Sequence, residues 1–339
     1  MSILKKKAEK KTEQEKVEER REEVLAKGRK FKYPLQWAKH RIVLNTILIA
    51  SIMIAIVLIS GWLALYRLGR TDDLLFKITE ILPISVANVD SENTRFSDYL
   101  MLYRSSITSV ERQASSKMDE TPIEDLRLEY KRSALTEAEK YTYAIKLAKE
   151  YDIEVTNEEV NEEFERHLKI GGIDRSEDGF TKIIQDNFGL DRREYERMLY
   201  LSLLKAKVEV TIDKEANQIA NNVEKMLGEN GNDYQAVAEQ LGDQIIYQET
   251  GGLVDSKNID GGRAAEAMKL EPEASSGKFL SMNGDGYYFV KLIKKTDAEV
   301  NFVSIKVPFT EFDRQFEALS EEDKIREFIE IKEPSEEFE

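Results

Sequence analysis

The sequence predicts a mainly α-helical protein with a small α+β lobe, tethered by a single transmembrane helix. Three observations predict it. An uncharged run of 25 residues, Ile42 to Tyr66, lies near the N terminus. Apolar residues then recur at three- and four-residue steps through the middle of the chain, the spacing of one helix face. Towards the end, two β-rich runs, Tyr287 to Ile293 and Val300 to Phe309, stand in a stretch punctuated by glycine.

The apolar run comes first. At ~1.5 Å per residue it spans ~37 Å, more than a ~30 Å hydrocarbon core, so it crosses a bilayer with some tilt. Trp62 and Tyr66 mark one interface and Trp37 the other. Lys27, Arg29, Lys30, Lys32, Lys39 and Arg41 precede the run, whereas only Arg67, Arg70 and Lys77 follow closely. This bias places residues 1–41 in the cytoplasm and the body of the chain outside. The run is too long for the apolar region of a cleaved signal peptide, and no small-x-small site follows it, so it reads as an uncleaved anchor. The Lys/Glu-rich stretch 5–30 suits a solvated helix or a disordered arm that orients insertion.

Charge divides the chain in two. Of 50 Lys and Arg and 65 Asp and Glu, residues 1–41 hold 14 basic and 7 acidic, leaving 36 basic and 58 acidic to 42–339. An acidic body repels nucleic-acid phosphates, which argues against DNA or RNA as a partner. With no cysteine there is no disulfide framework, thiol nucleophile or Cys-ligated metal.

Beyond the anchor, residues 67–83 read as a connector ending at Pro83. Ile84 to Val89 is extended, Asp90 to Asn93 turns, and a helix starts near Ser97, whose hydroxyl can cap it. Residues 111–122 read as a loop. A long helix covers Ile123 to Tyr151. Thr156 and Glu159 have the spacing of a capping box for a helix carrying Val160, Phe164 and Leu168, which Gly171-Gly172 ends. A short helix holds Phe180, Ile183 and Ile184, and Asp191 to Glu194 opens another through Leu203. The aromatics of this bundle, Tyr99, Tyr103, Tyr141 and Phe164, are candidate peptide contacts, with ordinary core as the alternative.

Lys207 to Ile212, KVEVTI, alternates as a strand does. Helices are expected over Asp213 to Leu227, Asp233 to Leu241 and Arg263 to Leu270, and the two β-rich runs form a hairpin across KKTDAE. Glu311 to Glu339 reads as an acidic amphipathic helix fraying into a tail. The resulting division is 1–41, 42–66, 67–83, 84–212, 213–310 and 311–339.

Catalytic and cofactor chemistry finds little support. The two histidines, His40 and His167, lie too far apart for a Ser-His-Asp set. Glu163 and His167 have i,i+4 spacing but no second His to complete a metal site. The glycine pairs lack the Lys-Ser/Thr of a phosphate loop. No cofactor or metal is expected.

Two stretches resemble known families. Val89-Asp90-Ser91-Glu92-Asn93-Thr94-Arg95-Phe96-Ser97-Asp98-Tyr99, then a long helix, DIEVTNEEV (Asp152 to Val160) and a helix pair, resemble the N-terminal chaperone domain of the SurA, PpiD and PrsA type over Pro83 to Ile212. Ser91 and Thr94 depart from the usual Gly and Ile. Lys207 to Lys295 resembles a parvulin-type peptidyl-prolyl isomerase domain, best at Gly251-Gly252-Leu253, at the helix ending at Leu270 and at Gly286 to Lys291. The histidines of active parvulins are absent, with Tyr288 standing where the final strand carries one. Asp243, Ile259, Arg263 and Tyr288 fall at or near the family's pocket positions.

The resemblances imply a membrane-anchored extracytoplasmic chaperone whose partners are unfolded or nascent secreted polypeptides, the bilayer through 42–66 and the secretion channel. The alternatives are an active prolyl isomerase and a non-enzymatic assembly subunit of an envelope complex.

Overall fold

The computed structural model describes residues 2–114 and 123–332. It divides into two compact units, residues 1–68 and 69–339.

The first unit is one long helix, α1 (Ser2–Trp62), continued by a π-helical turn at Leu63–Arg67. Its stretch His40–Arg67 contains an 18-residue window of mean hydropathy 2.9 that is unburied by protein, and is long and apolar enough to cross a membrane. Two of its hydroxyls bond within the helix: Thr46 donates to the Ile42 carbonyl at 2.9 Å and Ser60 to the Ile56 carbonyl at 2.7 Å.

The second unit opens with α2 (Asp73–Ile81), capped by Asp72, inside the segment expected to be a plain connector. This helix is short but amphipathic, burying Leu75 and Phe76. β1 (Ser85–Val89) and β2 (Glu92–Arg95) pair antiparallel about a turn in which Asp90 and Ser91 both have positive φ. α3 (Phe96–Ala114) begins one residue before Ser97, which lies buried in its first turn instead of capping it. Of the expected loop 111–122, residues 111–114 belong to α3 and 115–122 lie outside the described residues.

α4 (Ile123–Tyr151), α5 (Asn157–Leu168), α6 (Glu177–Phe188) and α7 (Arg192–Ile212) complete the bundle. The expected capping box forms between Thr156 and Glu159, and the helix start expected at Asp191 to Glu194 is a second one. KVEVTI is not a strand. It is the last turns of α7, where Leu204, Val208 and Ile212 recur at i,i+4 and bury together with Tyr143, Ala144 and Leu147 of α4. Six residues of alternating Val and Ile fit either period, and the helical core decides.

The α+β lobe follows. α8 (Lys214–Glu229) and α9 (Tyr234–Leu241), capped by Asp213 and Asp233, lie on one face of a sheet. Its strands are β3 (Ile246–Glu249), β4 (Val254–Asp255), β5 (Phe279–Leu280), β6 (Gly286–Lys295) and β7 (Glu299–Pro308); α10 (Arg263–Lys269) covers the other face. The spatial order is β3-β7-β6-β5, with β4 also on β7. β6 and β7 form the expected antiparallel hairpin. Alternation sorts their side chains. Tyr287, Phe289, Val303, Ile305 and Val307 meet α8 and α9, while Val290, Leu292, Val300 and Phe302 meet α10.

α11 (Glu311–Glu321) then crosses back to the bundle, where Phe312, Phe316 and Leu319 join the α4–α7 core. The acidic helix expected over 311–339 stops there. Asp323 takes a positive φ, and β8 (Ile325–Glu327) becomes the third strand of the first sheet, antiparallel to β1. Residues 333–339 of the expected tail lie outside the described residues.

Candidate functional site

Two concave regions collect the chemistry of the second unit. The first is the polar half of the sheet face beside α10. Tyr288 and Lys306 are cross-strand partners there, and Ser304 lies one pleat along. Arg263, at the start of α10, reaches over them. Its guanidinium carbon stands 5.1 Å from the Tyr288 ring centre, its Nη1 donates to Ser304 Oγ at 3.3 Å and to the Gln248 side-chain oxygen, and its Nε donates to the Asp260 carbonyl at 2.9 Å. Lys306 Nζ approaches the same ring to 5.8 Å while pairing with Asp285. That bond and one from Ser281 hold the Asp285 carboxyl below its usual range against the opposing effect of burial. Gly261 closes over the ring: a Cβ there would lie 3.0 Å from Tyr288 Cε2. Tyr288 is therefore buried between two cations, with a small pocket of about 310 Å³ alongside, lined by Arg263, Gln248 and Ser304.

Of the four positions expected at a parvulin-like pocket, the fold brings Arg263 and Tyr288 together. Ile259 faces a different cavity, and Asp243 lies exposed in the turn Gly242–Gln244 after α9.

The second region is a larger cleft of about 650 Å³ between the bundle and the α+β lobe. One wall is built by α5, the Gly171-Gly172 turn and α7, through Ile170, Leu199 and Leu203; the other is the loop Ser256–Gly262 with Ala265 and Met282. Ile259 is 77% and Met282 54% exposed, so both offer apolar surface to an occupant.

A half-buried polar cluster braces the bundle wall. Glu163 accepts from Arg166 Nε at 2.8 Å and lies 3.1 Å from His167 Nε2. His167 Nδ1 lies 2.6 Å from the Tyr195 hydroxyl, and the Tyr195 ring makes edge contacts with Phe164 and Phe180. Burial works to raise the Glu163 carboxyl, but hydrogen bonds from His167 and Arg166, with their charge, outweigh it and hold it at about 2. The Glu163/His167 spacing thus serves packing across α5 and α7, with Tyr195 as the partner that sequence spacing did not reveal. Among the described residues, no three His, Asp or Glu side chains gather into a metal-binding group.

The four aromatics considered as peptide contacts are all buried here: Tyr99, Tyr103, Tyr141 and Phe164 are each at most 9% exposed. Tyr99 packs edge-on against Phe96, and burial raises the Tyr99 and Tyr141 hydroxyls above their ordinary range. Their bulk fills the core. At the cleft, the exposed apolar surface comes instead from Ile259 and Met282, outside the helices and strands, which no periodic pattern marks.

Compared with family models, curated proteins and solved structures, the chain matches none.

Proposed function

We propose that this protein is a membrane-tethered, extracytoplasmic holder of unfolded polypeptide, and that the cleft between bundle and α+β lobe is where an extended segment lodges. The observation that carries the reading is the cleft itself. Apolar side chains on both walls face it, Ile170, Leu199 and Leu203 across from Ile259 and Met282, the last two stand largely exposed, and its volume lies within the range of ligand pockets, about 300–1,000 Å³. The apolar helix supports the tether, and the basic flank before it supports an external body by the positive-inside bias. A tether raises the local concentration of a weak binding site without any added contact. The acidic body keeps the holder itself soluble.

The sheet face at Tyr288 supports binding over bond isomerisation. A prolyl isomerase lowers a barrier of ~18–20 kcal/mol by favouring the twisted amide in a fitted apolar pocket. At Tyr288 the guanidinium of Arg263 covers that face.

The test is suppression of aggregation of a denatured client by the fragment 69–339, which keeps α2 and its buried Leu75 and Phe76. Delayed aggregation at equimolar fragment is the expected result, with the effect lost in Leu203→Glu/Ile259→Glu. No delay at several-fold excess would sink the reading.

A further inference from the structure

The cleft carries an unbalanced charge. Its lining includes two carboxylates, and both are committed: Glu163 to Arg166 and His167, and Asp260 to the Ala264 backbone N–H in the first turn of α10 at 3.1 Å. Its remaining cations are Lys169, at the end of α5 on the bundle wall, and Lys257, on the facing loop. Neither ammonium forms an ion pair with a carboxylate among the described residues, in contrast to Arg166 on the same lining, which pairs with Glu163. Lys257 is also positioned. Its stem crosses the cleft mouth so closely over Gly172 that a Cβ there would lie 2.5 Å from Lys257 Cδ and 2.9 Å from Nζ. Gly172, with φ +66, supplies both the turn and the clearance. Two lysines therefore line one cleft, Lys169 from the bundle wall and Lys257 from the facing loop.

We propose that the cleft selects extended polypeptide segments in which a carboxylate sits beside apolar side chains, the carboxylate bridging Lys169 and Lys257 while the apolar groups meet Leu203, Ile259 and Met282. The inference rests on the polypeptide-holding reading above and names its substrate class. It also opposes the long-range field. A chain of net charge −15 attracts basic segments from a distance, so a preference for acidic ones can only come from local contact.

The test uses the full chain in nanodiscs of neutral lipid and three short fluorescent apolar peptides differing at one central residue: Glu, Gln or Lys. The Glu peptide is expected to bind about five-fold more tightly than the Gln peptide, with the Lys peptide weakest, as two half-screened ion pairs allow. Lys169→Ala/Lys257→Ala should bring the Glu peptide to the level of the Gln peptide without weakening the latter, and Lys169→Glu/Lys257→Glu should reverse the order. Raised salt should shrink the preference. If all three peptides bind alike, or the Lys peptide binds best, the charge selection is wrong while polypeptide holding survives. If none binds, the holding function itself fails. If the double alanine variant changes only adhesion to vesicles of anionic lipid, the lysines serve a lipid headgroup and the proposal is overturned.

Discussion

The Asp213 carboxylate joins the starts of two helices. Its Oδ1 accepts from the Ala216 N–H at 2.8 Å, capping α8, while Oδ2 accepts from the Thr310 N–H at 2.8 Å and the Glu311 N–H at 3.1 Å, at the head of α11. The residue is 1% exposed and stands where the bundle ends and the lobe begins. Orphan N–H groups at two helix termini thus share one acceptor. Asp213→Ala leaves three backbone donors without it, that of Ala216 buried, and a loss of about 2 kcal/mol is expected in urea unfolding of 69–339. Asp213→Asn keeps one acceptor oxygen and should lose about half as much. Equal, small losses for both would show that the shared cap contributes little.

Glu139 of α4 gives stability a pH dependence. It is 4% exposed, and its Oε1 has no hydrogen-bond partner among the described residues. Burial, then the nearby Glu327 of β8, push its carboxyl up to about 8, against the pull of Arg132. The folded state therefore holds a proton that the unfolded chain has released by about pH 4.5. Between about pH 4.5 and 8 the native state binds more protons, so stability falls as pH rises, by up to ~1.4 kcal/mol per pH unit from this group. Above about pH 8 both states are ionised and its contribution levels off. Glu139→Gln should flatten that slope and stabilise the protein at pH 7.5 by a few kcal/mol. Parallel stability–pH curves for the two proteins would contradict the assignment.

Gly172 and Gly286 should differ in their tolerance of a side chain. At Gly286, φ is +151 and a Cβ would lie 2.4 Å from the Val307 carbonyl oxygen and 3.0 Å from Pro308 Cα, both backbone. At Gly172 the obstacle is the flexible Lys257 stem. Gly286→Ala is expected to cost about 3 kcal/mol or to prevent folding of the hairpin, and Gly172→Ala about 1 kcal/mol. Adding Lys257→Ala should recover part of the Gly172→Ala loss and none of the Gly286→Ala loss, measured by thermal melting.

In a protease-coupled proline-peptide assay, the wild-type rate is expected to stay at background, because Arg263 and Lys306 flank the Tyr288 ring. A clear acceleration that disappears in Tyr288→Phe or Arg263→Ala would place isomerase chemistry on that face.

Local chemistry made much of the fold legible. The bounds of α4 follow from an uninterrupted stripe of Leu128, Leu135, Ala138, Tyr141, Ile145 and Ala148, and the starts of α5 and α7 follow from reciprocal caps. What escaped was set at long range. β8 is three residues long and owes its existence to a strand edge formed more than half the chain earlier. KVEVTI satisfies both periods, so only the core beneath it could choose. In the site, the Glu163/His167 spacing was visible, but Tyr195 comes from another helix, and Lys257 carries no local sign of its approach to Gly172.

The seam between β1 and β8 has a consequence for biosynthesis. The backbone N–H of Asp90 donates to Lys324 and that of Phe328 to Val86, so the opening sheet lacks its third member until those distal residues leave the ribosome. Translation runs from one end, yet closure waits for the other. A prematurely stopped product carries a bare strand border, open to proteases and to self-association, whereas the finished chain conceals it.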